Sequence, residues 1–275
     1  MRRERTQSAG GHSGSGVVSL RQLDFAWRLV GTGLGFVVFL GGGLLLAVVA
    51  FPAIDLLTPT ASRRRERYHA VMCWAFRAFV GMLAWLRVIA VKIDDPGLLR
   101  ESKGVIVVAN HPTLIDIVLL SAFIPRAQCI VKRELWDSPF LGRIVRGGGY
   151  IPNDLEPEAL VAACRAALTD GRSLIVFPEG TRSRPGVPLH FHRGFAHIAT
   201  LLEADIQLAL ISCVPPTLAK GDKWWTIPSR RPEFRVSSAG WIRAVSWQSD
   251  GYRSVAARDI VRRVERFYND RLVSG

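Results

Sequence analysis

The stretch LVGTGLGFVVFLGGGLLLAVVAF, Leu29 to Phe51, constrains this chain more than any other. It is uncharged over 23 residues, and spanning the hydrocarbon of a bilayer takes about 20. Lipid offers no partners to an open backbone, so such a run enters a membrane as a helix. A cleaved secretory signal competes, helped by AVVAFPA at the end of the run. However, the run is longer than an ordinary signal core and a long tail precedes it.

The flanks bear on orientation. Arg2, Arg3, Arg5, Arg21 and Arg28 precede the run, and Arg63, Arg64, Arg65 and Arg67 follow it. Positive residues favour the cytoplasmic side, and here both ends ask for it. One solution is a segment that dips into the membrane and returns, with Pro52 and Pro59 near the bend and residues 69–91 as the second arm. Arg77 and Arg87 stand there among Trp and Phe, a mixture that suits an interfacial helix with snorkelling arginines. The other solution is a single-pass helix followed by an amphipathic core helix. Both predict a membrane protein organised as a disordered basic tail (1–27), a membrane-associated helical hairpin or transmembrane plus interfacial helix (28–92), and a globular domain (93–275).

Charge adds a second constraint. Lys and Arg number 36 against 23 Asp and Glu, a net +13, which points to an anionic partner. A nucleic-acid binder has no use for a membrane-length apolar run, and the chain has no helix–turn–helix or zinc pattern. Lipid surfaces and phosphorylated substrates remain. Cys73, Cys129, Cys164 and Cys213 are scattered among apolar neighbours, which predicts buried thiols in a reducing compartment.

From about Val88 the pattern is globular. Apolar β-branched runs at 104–109, 128–135, 173–177 and 207–216 read as strands, and 233–245 as a late strand or hairpin. Residues 111–124 (with Pro112 at the first helical position), 138–148, 156–171, 192–204 and 254–272 read as helices, with "YIP" at 150–152 as a sheet edge. Strands alternating with helices predict an α/β fold: a mostly parallel sheet flanked by helices on both faces.

Two loops carry the chemistry. In NHPTLID (110–116), His111 and Asp116 lie five apart, about 140° around a helix. They meet only if His111 sits in the turn before the helix and Asp116 reaches back. A carboxylate on one imidazole nitrogen fixes the tautomer and leaves the other as a general base. A structural His capping the turn is the alternative. In FPEGTRSRPG (177–186), a buried strand runs into Glu179, Gly180, Thr181, Arg182 and Ser183. A glycine loop there presents backbone N–H groups to an anion, and Arg182 offers a fork suited to phosphate. No G-x-S-x-G nucleophile elbow is present, and His190 with His192 makes a poor metal site without a third ligand. Trp224, Trp225 and Trp247 are candidate interfacial anchors, and the five arginines of the last helix a lipid-facing or solvated face.

Together NHPTLID and FPEGTRS resemble the signatures of the glycerolipid acyltransferase family, typified by lysophosphatidic acid acyltransferases. VKRELWDSPFLGRIVRGGGYIP (131–152) resembles the family's second block, FHRGFAHIA (191–199) its basic-glycine stretch, and LISCVPP (210–216) its fourth block, with Pro215 the matching residue. The resemblance spans Gly104 to Pro216 and makes 93–275 the acyltransferase domain. It implies transfer of a fatty acyl chain from an acyl-CoA or acyl-carrier-protein thioester to the hydroxyl of a lyso-lipid, 1-acylglycerol-3-phosphate-like, in a membrane. It implies His111 as base, Asp116 as its orienting partner, and no covalent acyl-enzyme. It further implies Glu179, Gly180, Thr181 and Arg182 at the acceptor, Lys132 and Arg133 serving the same anion, and no metal or other cofactor. The implied location is the cytoplasmic face of a bacterial inner membrane. One departure bears on the acceptor. The second block of lysophosphatidate enzymes usually reads Phe-Ile-Asp-Arg, whereas this chain has Tyr150-Ile151-Pro152-Asn153-Asp154, so Arg146, Arg182 or Lys132 covers the missing Arg, or the acceptor is another lipid-linked alcohol.

Overall fold

An apolar helix of 38 residues, Leu20–Leu57, opens the computed structural model, which describes residues 20–246 and 253–272 apart from Phe140 and Pro185. Residues 1–19 of the expected disordered tail, with Arg2, Arg3 and Arg5, fall outside the described residues, as does Trp247, whereas residues 20–27 of it are helical. The long helix consists of α1 (Leu20–Leu45), a π turn (Leu46–Ala50) and α2 (Phe51–Leu57). Pro52 accounts for the π turn, because it lacks an N–H and its ring crowds the preceding turn. The backbone widens there, and Phe51 N–H donates to Leu46 O. This helix differs from the core helix of a soluble protein. Val37 is 67% exposed and Leu45 60%, although each is of the type that normally drives burial.

The chain turns at Thr58–Thr60 and returns as α3 (Ala61–Trp85). Phe51 meets Tyr68, ring centroids 4.2 Å apart, and Phe39 meets Phe79 at 5.4 Å. These pairings run in opposite directions along the two helices, so α1–α2 and α3 form an antiparallel helical hairpin. On the second helix Arg77 stays exposed, while its Nε donates to the carbonyl of Ala122 at 2.5 Å. Trp74 and Trp85 stay exposed.

The remaining elements are β1 (Ala90–Asp94), α4 (Pro96–Arg100), β2 (Ile106–Ala109), α5 (Asp116–Phe123), β3 (Ala127–Val131), α6 (Arg133–Trp136), α7 (Gly142–Gly147), β4 (Ile151–Pro152), α8 (Pro157–Thr169), β5 (Ser173–Val176), α9 (Gly194–Leu202), β6 (Ile206–Val214), β7 (Glu233–Ile242) and α10 (Arg253–Leu272). The strands form one sheet in the order β1-β7-β6-β2-β5-β3-β4. β6, β2, β5, β3 and β4 run parallel, while β7 is antiparallel to β6 and carries β1 parallel at the edge. The sheet is thus mixed and mostly parallel, with helices on both faces as the α/β pattern predicts.

Side chains alternate across β2. Ile106 and Val108 face a core shared with α8, α9 and α10, including Cys164, Phe195, Ile260 and Tyr268. Val107 and Ala109 face the other core, shared with α3 and α5. A strand buried on both faces has to be apolar throughout, and each residue of β2 is fully buried. The four cysteines are free thiols, two of them buried. Burial alone pushes the Cys129 thiol up to about 12.

Several element boundaries differ from the sequence expectation, two of them next to the motif loops and the second block; the helix expected over 138–148 spans only Gly142–Gly147. The helix expected from His111 with Pro112 at its first position begins at Asp116. Asp116 accepts hydrogen bonds from the N–H of Thr113 at 2.7 Å and its hydroxyl at 2.5 Å, which holds 111–115 as a loop. The strand expected over 128–135 ends at Val131, because Leu135 N–H donates to Lys132 O and closes the first turn of α6. β1 had no sequence assignment. Its Lys92 and Asp94 break the apolar pattern, and it pairs with β7 far along the chain.

Candidate active site

The parallel strands all end on one rim, and the two motif loops leave the sheet there side by side, because β2 and β5 are neighbours. Loops beyond the carboxyl ends of strands are where such sheets place their sites. Asn110 fixes the first loop. Its amide donates to Ile211 O and accepts from Ile211 N–H, both at 2.8 Å, pinning the exit of β2 to β6.

His111 then stands next to Asp116, with Nδ1 2.8 Å from Oδ2. Asp116 is fully buried, and the imidazole is 20% exposed. The ring also stacks on Phe177, centroids 4.2 Å apart and planes at 22°. Carboxylate and phenyl ring together set the tilt of the imidazole and orient Nδ1 toward Asp116. Burial pushes the Asp116 carboxyl up, while hydrogen bonds from His111 and Thr113 pull it back. Three donors converge on this carboxylate, which is what a buried charge needs.

The second loop grips the first through the backbone. Glu179 accepts the N–H of His111 at 2.9 Å, and Ser183 N–H donates to His111 O at 2.8 Å. Glu179 is itself buried, and desolvation pushes its carboxyl above the ordinary range. Gly180 adopts φ +65°, a conformation that favours glycine, and a Cβ there would lie 3.2 Å from the His192 ring. Thr181 is exposed at the loop's tip. Arg182 donates from Nη1 to the carbonyls of Leu218 and Ala219, each 2.9 Å away, so the guanidinium braces the chain beyond Pro215 while its other N–H groups remain for an anion. Thr181, Arg182, Arg184, His192 and Lys220, together with apolar Val187, Leu189 and Phe191, surround an open pocket of about 320 Å³.

On the other side of this chain lies an apolar cavity of about 360 Å³, walled by Phe36, Phe39, Phe79, Leu114, Ile115 and Leu218 among others. Leu114 and Ile115, in the loop between His111 and Asp116, belong to its wall. The second block reaches it through Leu135 and Leu141. Lys132 and Arg133 are exposed, and Arg133 pairs with Asp137 at 2.7 Å and Asp154 at 3.2 Å. Arg146 donates to Trp136 O at 2.5 Å. The loops therefore assemble His111, Asp116, Glu179, Gly180 and Arg182 around one point. Pro215 begins the chain that Arg182 braces, and Lys132 and Arg133 stand apart at the start of α6. Among the described residues, no group of three or more His, Cys, Asp or Glu is placed to hold a metal ion.

Sequence reasoning overlooked Asn110, Thr113 and Phe177. Asn110 and Thr113 flank the His-Pro pair, and a polar residue at the end of an apolar strand was their signal. Phe177 looked like one more core residue. A further omission is Arg28, treated as a flanking charge although it is fully buried against the chain beyond β6.

Residues 90–214 match the Acyltransferase family. Among curated proteins, the 1-acyl-sn-glycerol-3-phosphate acyltransferase of Helicobacter pylori is 37% identical over 116 residues, covering 40% of this chain and 49% of that protein. That of Limnanthes douglasii is 33% identical over 162 residues, covering 57% and 53%. The chain thus spans about half the length of these curated relatives. In fold it resembles the crystal structure of the 1-acyl-sn-glycerophosphate acyltransferase from Thermotoga maritima, with a TM-score of 0.65, 20% identity, and coverage of 90% of this chain and 97% of that one.

Proposed function

We propose that this chain, whose residues 90–214 match the Acyltransferase family, is a membrane-bound O-acyltransferase. It moves a fatty acyl chain from an acyl-CoA or acyl-carrier-protein thioester to the hydroxyl of a lyso-lipid of the 1-acylglycerol-3-phosphate type. The observation that carries this reading is the His111–Asp116 pair at 2.8 Å, whose own loop lines an apolar cavity through Leu114 and Ile115 and whose partner loop lines a second pocket through Glu179 and Arg182.

The chemistry follows from that placement. Asp116 holds the proton on Nδ1, which leaves Nε2 as an acceptor. Nε2 takes the proton of the acceptor hydroxyl as its oxygen attacks the thioester carbonyl. The C–S bond breaks, the ester C–O bond forms, and the proton passes from His111 to the departing thiolate. A thiolate leaves readily, so the chain needs mainly to align two amphipathic substrates, a contribution that can exceed that of proton transfer. The apolar cavity would hold an acyl chain. Glu179, Gly180, Thr181 and Arg182 would receive the acceptor's polar head, with Lys132 and Arg133 at the start of α6 as further cations. No step calls for a metal.

Membrane attachment is part of the proposal. The Leu20–Leu57 helix is long and apolar enough to span a bilayer, and exposed Trp74 and Trp85 on α3 suit a membrane interface. Arg63, Arg64, Arg65 and Arg67 open α3 and would lie against anionic head groups on the cytoplasmic face.

The reading is tested with purified protein in anionic vesicles, a labelled acyl-CoA or acyl-carrier protein, and a panel of lyso-lipids. Label should enter a two-chain lipid, fastest from 1-acylglycerol-3-phosphate. A faster non-phosphate acceptor would move the assignment to another lipid-linked alcohol, consistent with the absence of Arg at Asn153. Turnover with no acceptor of any kind would remove the reading altogether.

A further inference from the structure

The segment between β6 and β7, residues 215–232, contains no α-helix or strand, yet it forms one wall of the apolar cavity through Thr217, Leu218, Ile227, Pro228 and Pro232. A strap of this kind gains little from its own hydrogen bonds and has to be held from outside. Guanidinium groups hold it. At its front, Arg182 donates to the carbonyls of Leu218 and Ala219. At its back, Arg28 on α1 donates from Nη1 to Pro228 O at 2.6 Å and from Nη2 to Ser229 O at 3.2 Å. Between these points Trp224 lies on α1, 6.1 Å from the Phe36 ring. A Cβ on Gly33 would come within 3.3 Å of it. The strap is thus moored to the helix that carries the membrane-length apolar run.

Arg28 is unusual for its position. It is 1% exposed and precedes an uncharged run that extends to Phe51, where a buried cation is costly unless every donor is used. All three nitrogens are occupied, the third with Nε 2.9 Å from Asp24. Three of its five N–H groups are committed in this way and Asp24 neutralises its charge, which disfavours a substrate anion. Arg28 lines the cavity without being arranged to bind what enters it, so its role is to hold the wall.

We propose that Arg28 is a positioning residue that couples the seating of α1 to closure of the acyl cavity by tying the far end of the 215–232 strap. This rests on the acyltransferase reading, with the cavity as the acyl-chain site. Loss of the tie leaves His111, Asp116 and the anion loop in place but opens the wall along which a long chain packs. The defect is therefore specific to chain length: long acyl groups lose packing that short ones never had.

The test measures kcat and KM for acyl-CoA donors of 6 to 18 carbons, as an arbitrary series, in vesicle-bound wild type and in Arg28→Ala, Arg28→Lys and Trp224→Ala. In Arg28→Ala, KM for the longest donors should rise about tenfold or more with kcat little changed, as lost ground-state binding predicts, and the shortest should be unaffected. Arg28→Lys can reach one carbonyl and should restore part of the effect. Trp224→Ala, in the exposed middle of the strap, should give the same chain-length signature and decides the matter if Arg28→Ala fails to fold. Uniform loss across all chain lengths in both variants, or no change in either, would overturn the proposal. A wild type that turns over no donor would instead defeat the acyltransferase reading.

Discussion

Replacing His111 with alanine should lower kcat by about 10²- to 10⁴-fold, the range that general-base catalysis supplies, and leave KM for both substrates nearly unchanged. The imidazole is one-fifth exposed, stacks on Phe177 and contacts Asp116. Its removal deletes a base and leaves the peptide framework standing. Glu179 and Ser183 bond only to the backbone of residue 111, and alanine keeps both groups. The thermal midpoint should therefore move little. A variant with full kcat would show that another group takes the acceptor's proton. A rise in KM alone would make His111 a binding residue.

Replacing Asp116 separates two roles of one carboxylate. Asparagine keeps the volume and an acceptor for the Thr113 hydroxyl, but an amide nitrogen turned toward Nδ1 of His111 takes the place of the oxygen that also accepts the Thr113 N–H. The imidazole then has to carry its proton on Nε2, the nitrogen that should be bare. Asp116→Asn should thus lose kcat by about 10²-fold or more while folding normally, the effect expected of a wrong tautomer. Alanine adds a structural cost. The Thr113 N–H and hydroxyl are buried and bond to this carboxylate at 2.7 and 2.5 Å, and each unsatisfied buried group costs about 1–3 kcal/mol. Asp116→Ala, which removes both acceptors, should therefore also lower the melting temperature more than Asp116→Asn, which loses only that of the Thr113 N–H. The two are compared by circular dichroism melting and by turnover. Equal turnover in Asp116→Asn and wild type would limit Asp116 to a structural role.

What the sequence made legible follows from the range of each interaction. The His111–Asp116 contact closes over five residues, so spacing alone placed the histidine before the helix and turned the aspartate back toward it. The buried strands β2, β5 and β6 were legible because a strand covered on both faces has to be apolar throughout. The apolar helix was legible from its lack of charge. Contacts made across the fold were not. Glu179 meets the N–H of His111 because β2 and β5 lie side by side, and no local pattern records that adjacency. Arg28 reads as one of several charges flanking an apolar run, and only the return of the 215–232 strap onto α1 reveals why it is buried. β1 was missed because an edge strand tolerates charge. Lys92 pairs with Glu233, and Asp94 with Arg235, across to β7. The helix start was placed early because Pro112 suits a first helical position, whereas the Thr113 bonds to Asp116 favour a loop there.

The tie between α1 and the strap also changes how the basic and apolar halves of the chain relate. The helix read as a membrane anchor contributes Thr32, Phe36 and Phe39 to the cavity that the loop between His111 and Asp116 also lines. On this account the anchor is part of the substrate site, and a domain cut free of α1 would lose a wall of its acyl cavity along with its attachment to lipid.

The central claim is that His111 deprotonates a lipid hydroxyl that attacks the thioester directly. Following free thiol from acyl-CoA in a rapid-quench time course, with the lyso-lipid first withheld and then added, tests it most directly. The account predicts no burst of thiol before the acceptor is added, and afterwards one thiol for each acylated lipid in wild type and almost none in His111→Ala. A stoichiometric burst without acceptor, or equal thiol release by the two proteins once it is present, would contradict it.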